Sequence, residues 1–133
     1  PDLATDGKGR WIAVWENRSV DSNPSFSSVG YALSADNGAT WTAEGRIDAN
    51  PGNGAEREPV VAFGGGTWLA GWTAQETAKG SGDDDVWAAR STNGGESWSA
   101  PLRLPTDGAA DGLADGDLRL AGDGEGAWAA VWT

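Results

Sequence analysis

Three pentapeptides that begin and end with tryptophan decide the fold of this 133-residue chain: WIAVW at 11–15, WLAGW at 68–72 and WAAVW at 128–132. The first two are 57 residues apart and the last two are 60 residues apart. Both alternate faces of each segment are apolar, so each segment predicts a β-strand that is covered on both sides. Self-similarity at a regular spacing is typical of repeat architectures.

A second repeated element keeps the 57-residue offset. The segment SADNGATW at 34–41 matches STNGGESW at 91–98, and both have the form S-x-[DN]-x-G-x-x-W. Glycine-rich turns precede the pentapeptides: Asp6-Gly7 and Asp123-Gly124 are typical hairpin dipeptides, because glycine tolerates positive φ. Since two separate elements share one period, the chain is predicted to consist of copies of one structural unit.

Each copy is predicted to contain four short strands. The second strand is the tryptophan pentapeptide, and no stretch has helical periodicity. The other strands are expected near 1–5, 58–63 and 117–121 (first), 28–34 and 85–91 (third), and 43–48 and 100–105 (fourth). A four-stranded unit that repeats every ~40–60 residues and needs cover on both faces predicts an all-β fold, a β-propeller fragment of four-stranded antiparallel blades.

The copies divide the chain into three segments of one incomplete propeller domain. Blade one is expected at 1–50, blade two at 51–107, and the first two strands of blade three at 108–133. The chain begins at Pro1 without an initiator methionine, so we interpret it as a piece of a longer protein. Its apolar faces and free strand edges are then expected to meet the remaining blades of the same propeller or other copies of the chain.

The composition excludes several classes of function. Leu, Ile, Val and Phe make up only 19 of the 133 residues, so the nine tryptophans are expected to supply most of the core. The chain has no histidine and no cysteine, which excludes a Ser–His–Asp triad, a His- or Cys-ligated metal and a disulfide framework. A net charge of −11 argues against nucleic acid as a partner, and no apolar run is long enough to span a membrane.

The two S-x-[DN]-x-G-x-x-W segments indicate turn chemistry and not catalysis. The Asx side chain accepts backbone N–H groups, the glycine takes a positive φ, and the tryptophan holds the turn against the sheet. Asn93 of the second copy keeps the acceptor oxygen of Asp36 but loses its charge, an exchange that a catalytic carboxylate would not survive. The predicted structural residues are Ser34, Asp36, Gly38, Trp41, Ser91, Asn93, Gly95 and Trp98.

These two segments resemble the Asp-box, or BNR, repeats of the sialidase superfamily. The segments Trp41-Thr42-Ala43 and Trp98-Ser99-Ala100-Pro101 are also similar to the W-[ST]-x-P sequence that follows the box in that family. The resemblance covers essentially the whole chain. It implies a six- or seven-bladed propeller of an extracellular or cell-surface protein whose signal peptide lies outside this piece. It implies a fold more than an activity, because many Asp-box propellers are not sialidases.

Sialidases of this superfamily use three arginines to hold the substrate carboxylate, an aspartate as acid/base, and a tyrosine nucleophile assisted by a glutamate. Arg57 lies in a segment that resembles the family's R-x-P motif, and Asp83 and Asp84 lie near the place of the acid/base aspartate. No further arginine follows Arg57 until residue 90, and Tyr31 is predicted in a strand of blade one. The alternatives are a solvent-facing Arg57 paired with a neighbouring glutamate, and a solvated acidic loop.

Two further candidates concern ligands. The calcium candidates supply four carboxylates in eleven residues, although Asp-Gly is equally ordinary turn chemistry and the spacing does not fit an EF-hand. They are Asp107, Asp111, Asp115 and Asp117. Trp87 aligns with Gly30 of the first copy, so the repeat does not require an indole there, and the ring is a candidate platform for a sugar. No other cofactor is expected.

These observations favour a non-catalytic module that binds glycans or protein partners or acts as a scaffold. The alternative is an exo-sialidase-type glycoside hydrolase with most of its active site outside this piece. That alternative requires two more arginines and a Tyr–Glu pair from other blades.

Overall fold

The computed structural model describes residues 1–18, 27–47, 55–75, 84–104 and 115–133, and within these ranges the chain is all-β. Ten strands form: β1 (Asp2–Thr5), β2 (Trp11–Arg18), β3 (Ser27–Ser34), β4 (Gly45–Arg46), β5 (Glu56–Gly64), β6 (Thr67–Gln75), β7 (Asp84–Ser91), β8 (Leu102–Leu104), β9 (Arg119–Gly122) and β10 (Trp128–Val131). The described ranges contain no helix that could cross a membrane.

The strands form two four-stranded sheets and one two-stranded sheet, all antiparallel. The first sheet has the order β1-β2-β3-β4, the second has the order β5-β6-β7-β8, and the third pairs β9 with β10. Strands that follow each other in sequence are therefore neighbours in space, as in a meander. This agrees with the predicted all-β, antiparallel fold.

The repeated pentapeptides occupy the same register in all three sheets. The central alanine of each lies opposite an apolar residue on the first strand of its sheet: Ala13 opposite Leu3, Ala70 opposite Val61, and Ala130 opposite Leu120. The repeat seen in the sequence is therefore a repeat of strand pairing as well.

The fourth strands are shorter than the sequence predicts. Within the described residues β4 has two residues and β8 has three, and a side-chain acceptor lies a few residues before each. The amide of Leu33 donates to the hydroxyl of Thr42 at 3.0 Å, and the amide of Arg90 donates to the hydroxyl of Ser99 at 3.1 Å. The hydroxyl residue after each box tryptophan thus joins the turn to the strand pair in both copies.

The core lies between the facing surfaces of the first and second sheets. Ile12 and Val14 are fully buried on the first sheet, and Trp68, Ala70 and Trp72 are fully buried on the second. Alternation along β2 and β6 places each set on a single face. Burying one indole removes roughly 150–250 Å² from water, which is worth about 4–6 kcal/mol. The two tryptophans of β6 are therefore the largest contributions to this interface.

The tryptophan strand β6 of the second sheet is covered on both faces, as the sequence predicts, whereas Leu102 on β8 is exposed. The other face of the second sheet meets the third sheet, where a Cβ atom on Gly71 would lie 2.7 Å from Cδ2 of Leu118. The outer face of the first sheet is open: Trp11 and Trp15 are half-buried there, and Leu3 is exposed. The predicted segment boundaries at 50/51 and 107/108 lie outside the described residues.

Candidate functional site

The second sheet has two ends, where its strands start and stop, and these differ in chemistry. One end carries the turn at 91–98. At the other end β5 and β7 begin and β8 ends. We call it the charged end because ionisable side chains gather there: Glu56, Arg57, Asp84, Asp85 and Arg103. The antiparallel pairing of β5, β6 and β7 brings these strand ends together, since the start of one strand lies beside the end of the next.

Arg57 and Asp84 form an ion pair at the charged end. Nη1 of Arg57 lies 3.2 Å from Oδ2 and 3.5 Å from Oδ1 of Asp84. The two side chains keep 42% and 22% of their area exposed. Pairs this exposed contribute only ~0–1 kcal/mol to stability, because water screens them. The pair therefore matters chiefly for binding: the guanidinium that could hold a ligand carboxylate already holds one.

Asp85 and Arg103 form a second, more enclosed ion pair. Nη1 of Arg103 lies 3.3 Å from Oδ2 of Asp85, and Asp85 is buried. Glu56 is buried as well, and its carboxylate accepts the amide of Val29 from the first sheet at 3.1 Å. Buried carboxylates need such partners, because an unpaired buried charge costs several kcal/mol. Neither Glu56 nor Arg103 belongs to a motif, so the sequence offered no signal for them.

Trp87 lies on β7 beside these pairs. It packs against the core between the sheets, and its indole N–H is enclosed without a hydrogen-bond partner among the described residues. The pairing of β7 places it opposite Trp72 on one side and Arg103 on the other. Buried donors are normally paired, and an N–H enclosed in this way is not open to a ligand in this structure. Its use as a sugar platform stays a prediction.

A polar cavity of about 380 Å³ lies where the first strands of the three sheets begin, lined by Pro1, Asp2, Glu58, Pro59, Val60, Asp117 and Arg119. Glu58 and Asp117 occupy equivalent positions, Glu58 in the bulge within β5 and Asp117 two residues before β9, and both have positive φ, 50° and 54°. Positive φ is uncommon for residues other than glycine, and at Glu58 it accompanies the bulge after Arg57. The one arginine of this lining, Arg119, donates to the carbonyl of Leu118 at 2.8 Å.

Turn one (residues 34–41) is held by its own side chains. Oδ1 of Asp36 accepts the Ser34 hydroxyl and the Thr40 amide, both at 2.8 Å, and Oδ2 accepts the Thr40 hydroxyl. The Ser34 hydroxyl oxygen accepts the amide of Gly38, whose φ is 88°. The hydrogen bonds from the Thr40 hydroxyl and amide, followed by that from Ser34, lower the pKa of Asp36 from 3.8 to about 2. A carboxyl held ionised in this way is poorly suited to donate a proton in catalysis.

Turn two (residues 91–98) has the same geometry with an amide in place of the carboxylate. Oδ1 of Asn93 accepts the Ser91 hydroxyl at 2.9 Å and the Ser97 amide at 3.0 Å. Nδ2 of Asn93 donates to the Ser97 hydroxyl at 2.8 Å, whereas Oδ2 of Asp36 accepts from the hydroxyl at the same place in turn one. A hydroxyl can donate or accept, which explains why the turn accommodates both Asp and Asn.

The remaining candidates lie only partly within the described ranges. Asp83, Asp107 and Asp111 are outside them. The amide of Asp115 donates to the carbonyl of Asp84 at 2.8 Å, and Asp117 lines the polar cavity. The described part of the chain holds no group of three or more Asp, Glu, His or Cys side chains that could bind a metal ion. Calcium binding by this stretch stays a prediction.

The fold is similar to that of the Hadza microbial sialidase Hz136, with a TM-score of 0.59 and 25% sequence identity. The matched region covers 78% of this chain and 25% of that chain, so this chain spans about a quarter of the length of that sialidase. No protein-family model and no curated protein matches the sequence. The chain therefore has a sialidase-like β fold.

Proposed function

We propose that this chain is part of an Asp-box β-propeller of the sialidase superfamily and serves outside the cell as a non-catalytic module that binds glycans or proteins. Two four-stranded antiparallel sheets that stack face to face with matching registers support the propeller assignment. The side-chain hydrogen bonds shared by turns one and two support their assignment as Asp-boxes. The remaining blades of the ring are the main partners on this proposal.

The non-catalytic part of the proposal rests on the partners that three arginines already have within the protein. Arg57 is paired with Asp84, Arg103 is paired with Asp85, and Arg119 donates to a backbone carbonyl. A sialidase needs a cluster of guanidinium groups that is open to the substrate carboxylate. Arginines that are each engaged by an oxygen of the protein are poor candidates for that cluster.

The charged end of the second sheet supports a role in ligand binding in place of catalysis. The Arg57–Asp84 pair is partly exposed and offers both donors and acceptors. Mixed donors and acceptors match the hydroxyl groups of a sugar or the backbone of a protein segment. Calcium is not required for this role.

The alternative is an exo-sialidase-type glycoside hydrolase whose other site residues belong to further blades. The proximity of Arg57 and Asp84, 3.2 Å apart, favours it, because both residue types belong to the sialidase machinery. On this alternative the ion pair would open when the substrate carboxylate binds.

The test combines hydrolysis by the complete propeller, which supplies the further site residues that the alternative requires, with binding by the purified chain. We expect no release of fluorophore from a 4-methylumbelliferyl sialoside between pH 4 and 7. In isothermal titration calorimetry with lactose and sialyllactose, Arg57→Ala should weaken binding about tenfold, since it removes a charged hydrogen-bonding group. Arg90→Ala is the matched control, because Arg90 is exposed at the opposite end of β7. Hydrolysis that disappears in the Arg57→Ala variant would favour the enzyme.

A further inference from the structure

Turn two places an asparagine directly before a glycine. Asn93 and Gly94 hold the places that Asp36 and Asn37 hold in turn one, and Asn93 is exposed to solvent. An asparagine before a glycine is especially prone to deamidation, because without a Cβ atom the glycine amide reaches the side-chain carbonyl carbon unhindered. Turn two therefore has a candidate modification site where turn one has an aspartate.

The docking of turn two on the first sheet accounts for the glycine after Asn93. Nη1 of Arg10 donates to the carbonyl of Gly94 at 2.9 Å, and a Cβ atom on Gly94 would collide with that nitrogen. The φ of Gly94 is 77°, but Asn37 adopts a φ of 61° at the same place in turn one, so φ alone does not require glycine. The contact with Arg10 therefore favours the Asn-Gly pair.

The side-chain amide of Asn93 is held by groups that favour attack on its carbonyl carbon. Oδ1 accepts the Ser91 hydroxyl at 2.9 Å and the Ser97 amide at 3.0 Å, and two donors stabilise the negative charge that develops on an oxygen during attack. Nδ2 donates to the Ser97 hydroxyl at 2.8 Å, a group that can also return a proton to a departing nitrogen. In the described part of the chain no hydrogen bond engages the attacking group, the Gly94 amide.

Turn one contains an asparagine–glycine pair for comparison, Asn37-Gly38. The Gly38 amide donates to the hydroxyl oxygen of Ser34 at 2.8 Å, so the nucleophile of this pair is engaged. Oδ1 of Asn37 accepts the indole N–H of Trp11 at 3.0 Å, one donor where turn two supplies two. The pair at 53–54 lies outside the described residues. Turn one is therefore less suited to the reaction than turn two.

We propose that Asn93 is a site of spontaneous deamidation that converts turn two to the aspartate form of turn one. The Gly94 amide nitrogen gives up its proton and bonds to Cγ of Asn93, the Cγ–Nδ2 bond breaks, and Nδ2 leaves with its electron pair and a proton as ammonia. Water then adds to Cγ, the bond from Cγ to the Gly94 nitrogen breaks, and that nitrogen regains a proton. The carboxylate formed can accept a hydroxyl and an amide as Asp36 does.

Peptide mapping by mass spectrometry, during incubation of the folded chain at mildly alkaline pH, tests the proposal. We expect deamidation at Asn93 to be about tenfold faster than at Asn37, because the hydrogen bond of the Gly38 amide must first break. In the chain unfolded in urea the two rates should converge, since both asparagines precede glycine. Ser97→Ala should slow the reaction at Asn93 and leave Asn37 unchanged, whereas a merely loosened turn would react faster.

The Asn93→Asp variant tests whether turn two accepts the product. Its urea midpoint at neutral pH should equal that of the parent and should fall more steeply below pH 3.8, as expected for Asp36. An unfolded variant at neutral pH would overturn the proposal. So would equal rates at Asn93 and Asn37 in the folded chain, a faster reaction in Ser97→Ala, or isoaspartate as the sole product on fragmentation. None of these outcomes bears on the sialoside or glycan assays.

Discussion

Turn one and turn two share a sequence pattern and a hydrogen-bonding scheme but lie in different surroundings. Trp41 of turn one is 43% exposed, and its indole donates to the carbonyl of Gly38 at 3.1 Å. Trp98 of turn two packs on Tyr31, and its enclosed indole N–H has no hydrogen-bond partner within the described ranges. The same motif therefore closes a hairpin in one place and joins two sheets in the other. The motif sets the local geometry of each turn, whereas the contribution of the turn to stability depends on the residues packed against its tryptophan.

Replacing each turn tryptophan by alanine, one at a time, should give the largest difference in stability loss between the two turns. We expect Trp98→Ala to lower the free energy of unfolding by about 3 kcal/mol, the low end for a core indole, because Trp98 is half-buried. Trp41→Ala should cost only about 1 kcal/mol, since it loses mainly one hydrogen bond. Urea denaturation followed by circular dichroism measures both, and equal losses would mean that turn two does not join the sheets.

The turn glycines offer a matched pair of backbone substitutions. Gly38 and Gly95 have φ of 88° and 89°, so alanine is strained by the same amount at both. Only at Gly95 would the added methyl group meet Ile12 and Leu33. We expect Gly38→Ala to cost ~1 kcal/mol and Gly95→Ala about 1–2 kcal/mol more. If thermal melts show the same loss for both variants, the contact between turn two and the first sheet is absent in solution.

The smallest expected effect is the pH dependence that distinguishes Asp36 from Asn93. Because the pKa of Asp36 is lowered to about 2 in the folded chain, its contribution to stability is complete above the ordinary value of 3.8 and is lost as the pH falls towards 2. Turn two has no such titration. Asp36→Asn should leave stability at pH 7 nearly unchanged, because Asn93 makes equivalent bonds.

Urea midpoints between pH 5 and 2 test this prediction. The midpoint of the parent should fall more steeply than that of Asp36→Asn over this range. Some acid sensitivity should remain in the variant, since hydrogen bonds from the amides of Glu125, Ala127 and Gly126 also lower the pKa of Asp123. Identical slopes for parent and variant would show that the charge of Asp36 adds nothing to turn one.

The strands and turns could be predicted because their signals are local. Segments that are apolar on both faces, Asp-Gly dipeptides and the S-x-[DN]-x-G-x-x-W pattern each act within a few residues. The predicted strands agree with the observed strands except at the fourth positions. There the hydroxyls of Thr42 and Ser99 accept backbone amides of the third strands in place of backbone carbonyls. Such a hydrogen bond to a side chain does not appear as an alternation of residue types in the sequence.

The candidate site was predicted only in part, because its contacts join distant segments. The sequence leaves two alternatives for Arg57, a role in holding a substrate carboxylate and an ion pair with a neighbouring glutamate. Its observed partner is Asp84, which lies on β7, two strands away in the sheet. Glu56 and Arg103 lie outside any motif, and their burial follows from the packing of the first sheet on the second. No pattern along the chain reports such a contact.

The repeat, the all-β meander and the geometry of both turns follow from the sequence, because each depends on residues close together in the chain. The sequence does not reveal which turn is docked, which tryptophan faces are covered or which carboxylate holds Arg57. These features depend on how the sheets stack and on the register between strands. Trp41 and Trp98 occupy the same position in the turn motif and differ in whether another sheet lies against them.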